Sequence, residues 1–158
     1  MLFRKILVGL DGSPLSWRAL RRALAIAKQE HSQVWALSVE ELPRIPADVG
    51  EVQDEEIRQG EIFGRIHAQA RELADAERVP LHCIVVKGSP GHLLVEHAAE
   101  SAVDLIVIGH RGALPWHRLL GSTAEHVIDH APCAVLIERP RFEDRYEIGH
   151  LIEEIQRT

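Results

Sequence analysis

The segment 104–123, DLIVIGHRGALPWHRLLGST, joins a short apolar run to a loop that is rich in glycine. The apolar run predicts a strand that is buried on both faces, as in a parallel sheet. Backbone N–H groups can approach an anion closely at a glycine, because a glycine has no Cβ. The loop also concentrates basic side chains in an otherwise acidic chain, namely His110, Arg111, His117 and Arg118. The segment therefore indicates a phosphate-binding loop, and an ordinary strand-to-helix loop with solvated charges is the alternative.

Strand and helix patterns alternate along the rest of the chain. Apolar runs predict strands at 5–10, 33–40, 81–87, 104–109 and 133–138, and helical periodicity predicts helices at 14–30, at 54–78, from 90 onwards and at 121–131. This alternation predicts an α/β fold, with a five-stranded, mostly parallel sheet and helices on both faces, as in Rossmann-like folds. Such sheets bind ligands at the carboxyl ends of their strands, where the loops 11–13 and 109–112 would meet.

The segment 41–56 carries two prolines and a cluster of acids, which predicts a long loop before the second helix. We expect its acidic part, residues 48–56, to form a solvated face or a mobile flap over the ligand crevice. The following helix should bury one face at helical spacing, namely Ile62, Ile66, Ala70, Leu73 and Ala74.

Length and composition indicate one domain with an aliphatic core. The chain has 158 residues, of which 46% are hydrophobic and 4% aromatic, and its formal net charge is -6. This charge argues against a general nucleic-acid or anionic-membrane surface, since both reward clustered Lys and Arg. No apolar run approaches the roughly 20 residues that span a membrane, and the N-terminus turns polar too early for a signal peptide. We therefore expect a cytoplasmic protein in which Cys83 and Cys133 are reduced core residues.

Three stretches together resemble the universal stress protein family, over residues 1–139. They are KILVGLDGSPLSWRALRRALAIA, KGSPGHLLVEHA, and DLIVIGHRG followed by LLGSTAEHVIDHAPCAVLIE. The motifs GxxxxGK[ST] and GxGxxG of other nucleotide-binding proteins are absent from the sequence. In ATP-binding family members the pattern is Gly, two residues, Gly, nine residues, and then Gly-Ser or Gly-Thr. Here Gly109, Gly112 and Gly121-Ser122 match, with eight residues between Gly112 and Gly121.

The resemblance implies an adenine-nucleotide site for ATP, ADP or AMP. Asp11 would lie near the ribose or a phosphate-bound metal, and Ser13 would cap the first helix beside Gly12. Val39 would offer backbone hydrogen bonds to adenine. The loop and the next helix start would hold the ribose and the phosphates, through Gly109, His110, Arg111, Gly112, Gly121, Ser122 and Thr123. A Mg²⁺ ion would arrive with the triphosphate, because Mg²⁺ keeps water and phosphate oxygens as ligands.

The resemblance further implies a stress-response or regulatory protein that binds ATP with little or no turnover. Two alternatives stay open. The shorter glycine loop favours a family member that binds no nucleotide and acts through protein contacts. Asp11 paired with His110 or His117 would favour a slow ATPase. The resemblance also implies a homodimer through the last strand, Cys133–Glu138, and an apolar terminal strand is itself an edge that favours pairing.

Residues 140–158 are predicted to extend the domain 1–139 with an amphipathic helix, because apolar residues recur at helical spacing between 143 and 157. His126 and His130 are four residues apart, a spacing that can bind zinc. No third ligand stands at a characteristic spacing, so we expect the histidines to be surface or loop-packing residues. Asp104 is expected to be a turn or edge residue rather than a catalyst.

Overall fold

The computed structural model describes residues 1–41, 48–110 and 121–141, in which strands and helices alternate as predicted. The elements are β1 Lys5–Gly9, α1 Pro14–Glu30, β2 Gln33–Glu40, α2 Val49–Glu77, β3 Leu81–Lys87, α3 Pro90–Glu100, β4 Leu105–Gly109, α4 Ser122–His130 and β5 Ala134–Glu138. None of the helices in these three ranges is long and apolar enough to cross a membrane. The helix predicted between 143 and 157 lies outside the described residues and stays a prediction.

The five strands form one parallel sheet in the order β3-β2-β1-β4-β5. The chain first builds outwards from the central strand β1 to β3, and it then returns to place β4 on the other side of β1. The strand order therefore reverses between β1 and β4, and a reversal of this kind opens a crevice at the carboxyl ends of the two strands. The predicted fold class, a Rossmann-like α/β sheet, is confirmed.

Helices cover both faces of the sheet and enclose two apolar clusters. In β1, Ile6 and Val8 belong to the cluster under α1 and α2, whereas Leu7 belongs to the cluster under α3 and α4. All three side chains are fully buried, and each such burial contributes about 1.5–3 kcal/mol. Burial on both faces explains why β1 is a continuous apolar run rather than an alternating one. The strand that ends at the crevice is thus held firmly on both sides.

Helix α2 begins earlier than the sequence pattern predicts. Asp48 is its N-cap residue and accepts a hydrogen bond from the Glu51 N–H at 2.9 Å. Residues 49–56 therefore form the first turns of a helix, so the predicted loop or flap is wrong for them, whereas the expected solvated face is confirmed because most of the acids there are exposed. A capping carboxylate and an acidic first turn both stabilise a helix N-terminus, so the cluster of acids that resembled a loop is a helix start.

The buried face of α2 also differs from the predicted one. Ile62 is 40% exposed, contrary to the prediction, and Phe63 and His67 are buried instead. The other predicted residues do contact the core, namely Ile66, Ala70, Leu73 and Ala74. The helix is thus rotated enough to bring a histidine into the interior, next to the end of β1.

Candidate functional site

A crevice of about 650 Å³ opens at the carboxyl ends of β1 and β4, at the switch point of the sheet. The predicted site residues that line it are Asp11, Ser13, Val39, Gly109, His110 and Thr123. Gly12, Gly121 and Ser122 adjoin these residues in the sequence, whereas Arg111 and Gly112 lie outside the described residues. The fold therefore gathers predicted residues from four separate parts of the chain around one cavity, and its volume suits a cofactor-sized ligand.

A tight turn at the end of β1 fixes the carboxylate of Asp11. Its Oδ1 atom accepts a hydrogen bond from the Ser13 N–H at 2.9 Å. Ser13 is the N-cap of α1, where its Oγ atom accepts from the Ser16 N–H at 3.3 Å. Gly12 has a φ of 85°, and a Cβ at this position would meet Cδ1 of Ile66 at 2.7 Å. The turn itself therefore requires glycine here, without any ligand contact.

Gly109 allows β4 to end directly against the start of α1. A Cβ at this position would lie 2.8 Å from both the backbone carbonyl carbon and the Cβ of Leu15. Backbone atoms cannot yield as the tip of a flexible side chain can, so packing alone excludes any larger residue. Glycine at 109 is therefore explained by the contact between β4 and α1.

The backbone of β2 presents two polar groups to the crevice at Val39. The register between β1 and β2 ends at Gly9 opposite Leu37, and the Leu37 C=O accepts the Leu10 N–H at 3.0 Å. Backbone groups two residues apart in a strand point to the same neighbouring strand. The N–H and C=O of Val39 therefore point to the side where β1 has already left the sheet. They offer a donor and an acceptor side by side.

Helix α4 begins at the crevice without a capping side chain. Its N-cap residue is Gly121, whereas Ser13 and Asp48 cap α1 and α2 with their side chains. Thr123, in the first turn of α4, lines the crevice. The first N–H groups of a helix have no partner within the helix, and the N-terminus carries a partial positive charge. This terminus is chemically suited to an anionic group.

The ends of β4 and β5 are joined next to the crevice. His110 is 5% exposed, and its N–H donates to the Glu138 C=O at 2.7 Å. The buried Glu138 carboxylate accepts two hydrogen bonds from Arg22, from Nε to Oε2 and from Nη2 to Oε1, each 3.0 Å long. Arg18 Nη2 lies 3.6 Å from the same Oε1 atom. The hydrogen bonds from Arg22, more than any other cause, lower the pKa of Glu138 and oppose the effect of burial.

This group of charges, Arg18, Arg22 and Glu138, was not predicted from the sequence. The two arginines are four residues apart on α1, and Glu138 follows Arg22 by 116 residues. Two arginines at this spacing are also typical of a solvated helix face, so the local pattern does not distinguish the two cases. An acid as the last residue of an apolar strand is the one local signal that could have indicated a buried ion pair.

A second buried network, also not predicted, lies beside the exit of β1. His67 is 5% exposed, and its Nε2 atom lies 2.8 Å from Oγ of Ser38. The Ser38 hydroxyl donates its hydrogen to the Leu10 C=O at 2.5 Å. His67 must then donate to Ser38, because a hydroxyl has only one hydrogen. Burial, together with the positive charge of Arg71, lowers the pKa of His67, and the expectation of a surface or loop histidine is wrong for this residue.

The rings of the two histidines in α4 stack on each other, and they do not converge on a point where a metal ion could bind. The ring centroids of His126 and His130 are 4.3 Å apart, and His130 Nδ1 lies 2.9 Å from the backbone oxygen of His126. Within residues 1–41, 48–110 and 121–141, no group of three His, Cys, Asp or Glu side chains could hold a metal ion. A nitrogen that contacts the backbone of its own helix is poorly placed to coordinate a metal.

Asp104 and the two cysteines have the surroundings of residues that support the fold. The Asp104 carboxylate accepts the N–H groups of Lys5 and Arg4 at 2.9 and 2.8 Å, which lowers its pKa, and Asp104 lies in the bend before β4, as predicted for a turn residue. Cys83 and Cys133 are free and partly buried. Burial raises the pKa of both thiols, so neither has the thiolate character of a reactive cysteine.

Comparison with known proteins supports the same fold and a family assignment. The sequence model of the universal stress protein family matches residues 2–139. A universal stress protein of Methanocaldococcus jannaschii, MJ0531, is 32% identical over 152 residues, which cover 90% of this chain and 86% of that protein. The structure of UspA from Lactobacillus plantarum superposes with a TM-score of 0.79 at 27% identity, over 88% of this chain and 99% of the other.

A second solved structure is that of a universal stress protein in complex with cAMP. It is 30% identical to this chain, with a TM-score of 0.69 over 87% of this chain and 97% of the other. The similarity spans almost the whole length of each relative, so the match is to an entire domain rather than to a shared motif. The chain described here belongs to the universal stress protein family.

Proposed function

We propose that this protein is a regulatory, adenine-nucleotide-binding member of its family that acts in the cytoplasm and turns over its nucleotide slowly or not at all. One observation carries the proposal: a single crevice joins the outward-facing backbone of Val39, the carboxylate of Asp11 and the uncapped start of α4. The relative in complex with cAMP supports an adenine nucleotide as the class of ligand.

The adenine ring is proposed to lie at the β2 end of the crevice. Most of the side chains there are apolar, namely Leu37, Val39, Pro90 and Leu94, and the acidic Glu41 lies two residues after Val39. Adenine presents an amino donor next to a ring-nitrogen acceptor, which matches the C=O and N–H of Val39. Guanine has a carbonyl oxygen and a ring N–H in the corresponding positions, so it would place acceptor against acceptor and donor against donor. We therefore expect ATP to be preferred over GTP.

The phosphates are proposed to lie at the β4 end, against Gly109 and the first turn of α4. Gly121 as N-cap leaves the first N–H groups of α4 without a capping side chain, which suits a phosphate oxygen. Asp11 is the carboxylate at the exit of β1 that would contact a Mg²⁺ ion carried by the phosphates. Such an ion needs only one or two carboxylates when phosphates and water complete its shell.

Two alternatives rest on specific observations. Eight residues separate Gly112 from Gly121, one fewer than in the pattern of ATP-binding members, which favours a member that acts through protein contacts alone. Asp11 and His110 line the same crevice, which favours a slow ATPase. Measurement of phosphate release from ATP by Asp11→Ala and His110→Ala tests the slow ATPase. Release that persists in both variants would exclude this pair as the acid and base.

A homodimer through β5 is proposed on physical grounds. β5 is an edge strand of the sheet, and its residues Val135, Leu136 and Ile137 are only partly buried in the single chain. An apolar edge strand favours pairing with a second strand. Sedimentation equilibrium of the full chain tests this, and a monomer across the micromolar range would rule it out.

The site is tested with a charge placed at the start of α4. Gly121 has a φ of -74° and a ψ of 160°, so Asp and Asn both fit the backbone and are good N-cap residues. We expect Gly121→Asp to abolish ATP binding by repulsion, and Gly121→Asn, the matched neutral control, to weaken it less. Equal affinity of the Asp variant and the wild type, with both folded, would contradict the proposal.

A further inference from the structure

We propose that Arg18 is a ligand-binding residue that selects for the phosphate groups of the nucleotide, an inference that rests on the nucleotide site proposed above. Arg18 lies in α1 and lines the crevice together with His110 and Pro140. It is neither in the glycine loop nor at the start of α4, the two segments that the sequence pattern associates with phosphates. Its role follows from where the fold places it.

Arg18 lies at the end of the crevice opposite to Val39. Its Nη2 atom is 3.6 Å from Glu138 Oε1, at the end of β5. β5 and β2 lie on opposite sides of the β1–β4 switch point in the strand order. A nucleotide with its base against β2 therefore extends its phosphates towards β5, where Arg18 is. Among the described residues that line the crevice, Arg18 is the one lysine or arginine, and it lies at the end away from Val39.

Two arginines share the Glu138 carboxylate beside the crevice. Arg22 already donates to both carboxylate oxygens of Glu138. Arg18 is a second cation on the same carboxylate, so the arginines outnumber the carboxylate within this group of three side chains. The whole chain, in contrast, has a net charge of -6. A cationic side chain that lines a cavity favours an anionic group of the ligand near it.

The ion pair also holds Arg18 ready to bind. Glu138 is buried and held by Arg22, and its carboxylate lies 3.6 Å from the guanidinium of Arg18, which itself lines the crevice. A guanidinium has five N–H donors in a planar fork and can contact a carboxylate and a phosphate at once. A preplaced arginine loses less conformational entropy on binding than one that must be ordered by the ligand.

Arg22 supplies a matched control for Arg18. Both residues are arginines on α1, both contact Glu138, and removal of either lowers the charge of the group by one. Among the described residues, Arg18 lines the crevice and Arg22 does not, and the Arg22 side chain is 54% exposed. A difference between the two variants therefore measures contact with the ligand rather than net charge or the loss of an ion pair.

The test is calorimetric titration of the full chain with adenosine, AMP and ATP in the presence of Mg²⁺. The wild type, Arg18→Gln, Arg18→Lys and Arg22→Gln are compared after thermal unfolding has shown that each is folded. We expect Arg18→Gln to weaken ATP binding about tenfold or more, as the loss of a charged hydrogen bond does, and adenosine binding less than about twofold. Arg18→Lys should retain part of the ATP affinity, and Arg22→Gln should lose clearly less affinity than Arg18→Gln, because Arg22 does not line the crevice.

Three other outcomes would contradict the role of Arg18 or the nucleotide site itself. Equal ATP affinity of Arg18→Gln and Arg22→Gln would overturn the role of Arg18 and leave the nucleotide site standing. Parallel losses for adenosine and ATP in Arg18→Gln would also overturn it, because they would indicate a general disturbance of the crevice. A wild type that binds none of the three ligands would overturn the nucleotide site itself, and with it this inference.

Discussion

The Nε2 atom of His67 lies 2.8 Å from the Oγ atom of Ser38, and this contact ties α2 to the strands that end at the crevice. Ser38 in turn donates to the carbonyl of Leu10, the residue directly before Asp11. One hydroxyl therefore connects a helix, the end of β2 and the exit of β1. The path of the chain at Asp11 depends on this buried network as well as on the turn that follows it.

Removal of the Ser38 hydroxyl should destabilise the fold. Ser38→Ala deprives His67 of its hydrogen-bond acceptor and Leu10 of a donor, both in the interior, so we expect the free energy of unfolding to fall by about 2–4 kcal/mol. Urea denaturation measures the change. Ser89→Ala is the control, because Ser89 is exposed and its side chain makes no cap hydrogen bond. Equal stability of the two variants would show that the network contributes nothing.

His67 should make stability depend on pH. Its pKa in the folded state is lowered from the ordinary value of 6.5, so below that value the unfolded chain binds a proton that the folded chain does not. The stability of the wild type should therefore fall as the pH drops from 7 through 6. In His67→Leu this part of the decline should be absent, so the stability of the wild type relative to this variant should decrease with falling pH. A constant difference between pH 8 and pH 5 would contradict the lowered pKa.

Replacement of glycine by alanine should change the stability of the protein in opposite directions at two positions. A Cβ at Gly109 would lie 2.8 Å from backbone atoms of Leu15, whereas a Cβ at Gly64 has no heavy atom within 4 Å. Gly109→Ala should cost about 3 kcal/mol through overpacking. Gly64→Ala, on the exposed face of α2, should gain about 0.5–1 kcal/mol because alanine favours helix. Thermal unfolding of both variants checks the pair, and a stable Gly109→Ala protein would show that β4 and α1 are farther apart than described.

The ion pair of Glu138 should stabilise the protein only above acidic pH. The folded-state pKa of Glu138 is lowered from its usual 4.5 by Arg22, so its contribution is present above that value and is lost as the pH falls through the lower pKa. Glu138→Gln should cost about 1 kcal/mol at pH 7, a modest figure because Arg22 is largely exposed to solvent. Urea titrations at pH 7 and pH 3 test this. A cost that is equal at both values would mean that packing, not charge, is responsible.

The fold could be predicted because its signals are local. Each buried strand is a short apolar run, and starts such as Ser13-Pro14 mark helices by their own backbone chemistry. The start of α2 could not be recognised, because Asp48 and its acidic neighbours have the composition of a solvated loop as well as that of a helix N-terminus. The capping hydrogen bond from the Glu51 N–H to the Asp48 carboxylate decides between the two, and only the structure shows it.

The residues of the candidate site also fall into those that the sequence indicates and those that it does not. Asp11, Val39 and Gly109 follow from strand ends and a family pattern, and the structure does bring them to one crevice. The contacts of His67 and Glu138 depend on residues far along the chain, so no local pattern indicates them. Gly109 also shows that a residue can fit a ligand pattern and still be required for packing alone.

The central claim is that the crevice at the switch point binds an adenine nucleotide, and calorimetric titration of the full, nucleotide-stripped chain with ATP and Mg²⁺ tests it most directly, with GTP as the control. We predict saturable binding of ATP and no measurable binding of GTP, because Val39 offers a donor and an acceptor that match adenine. A folded sample that binds neither nucleotide would contradict the claim and favour a family member that acts through protein contacts.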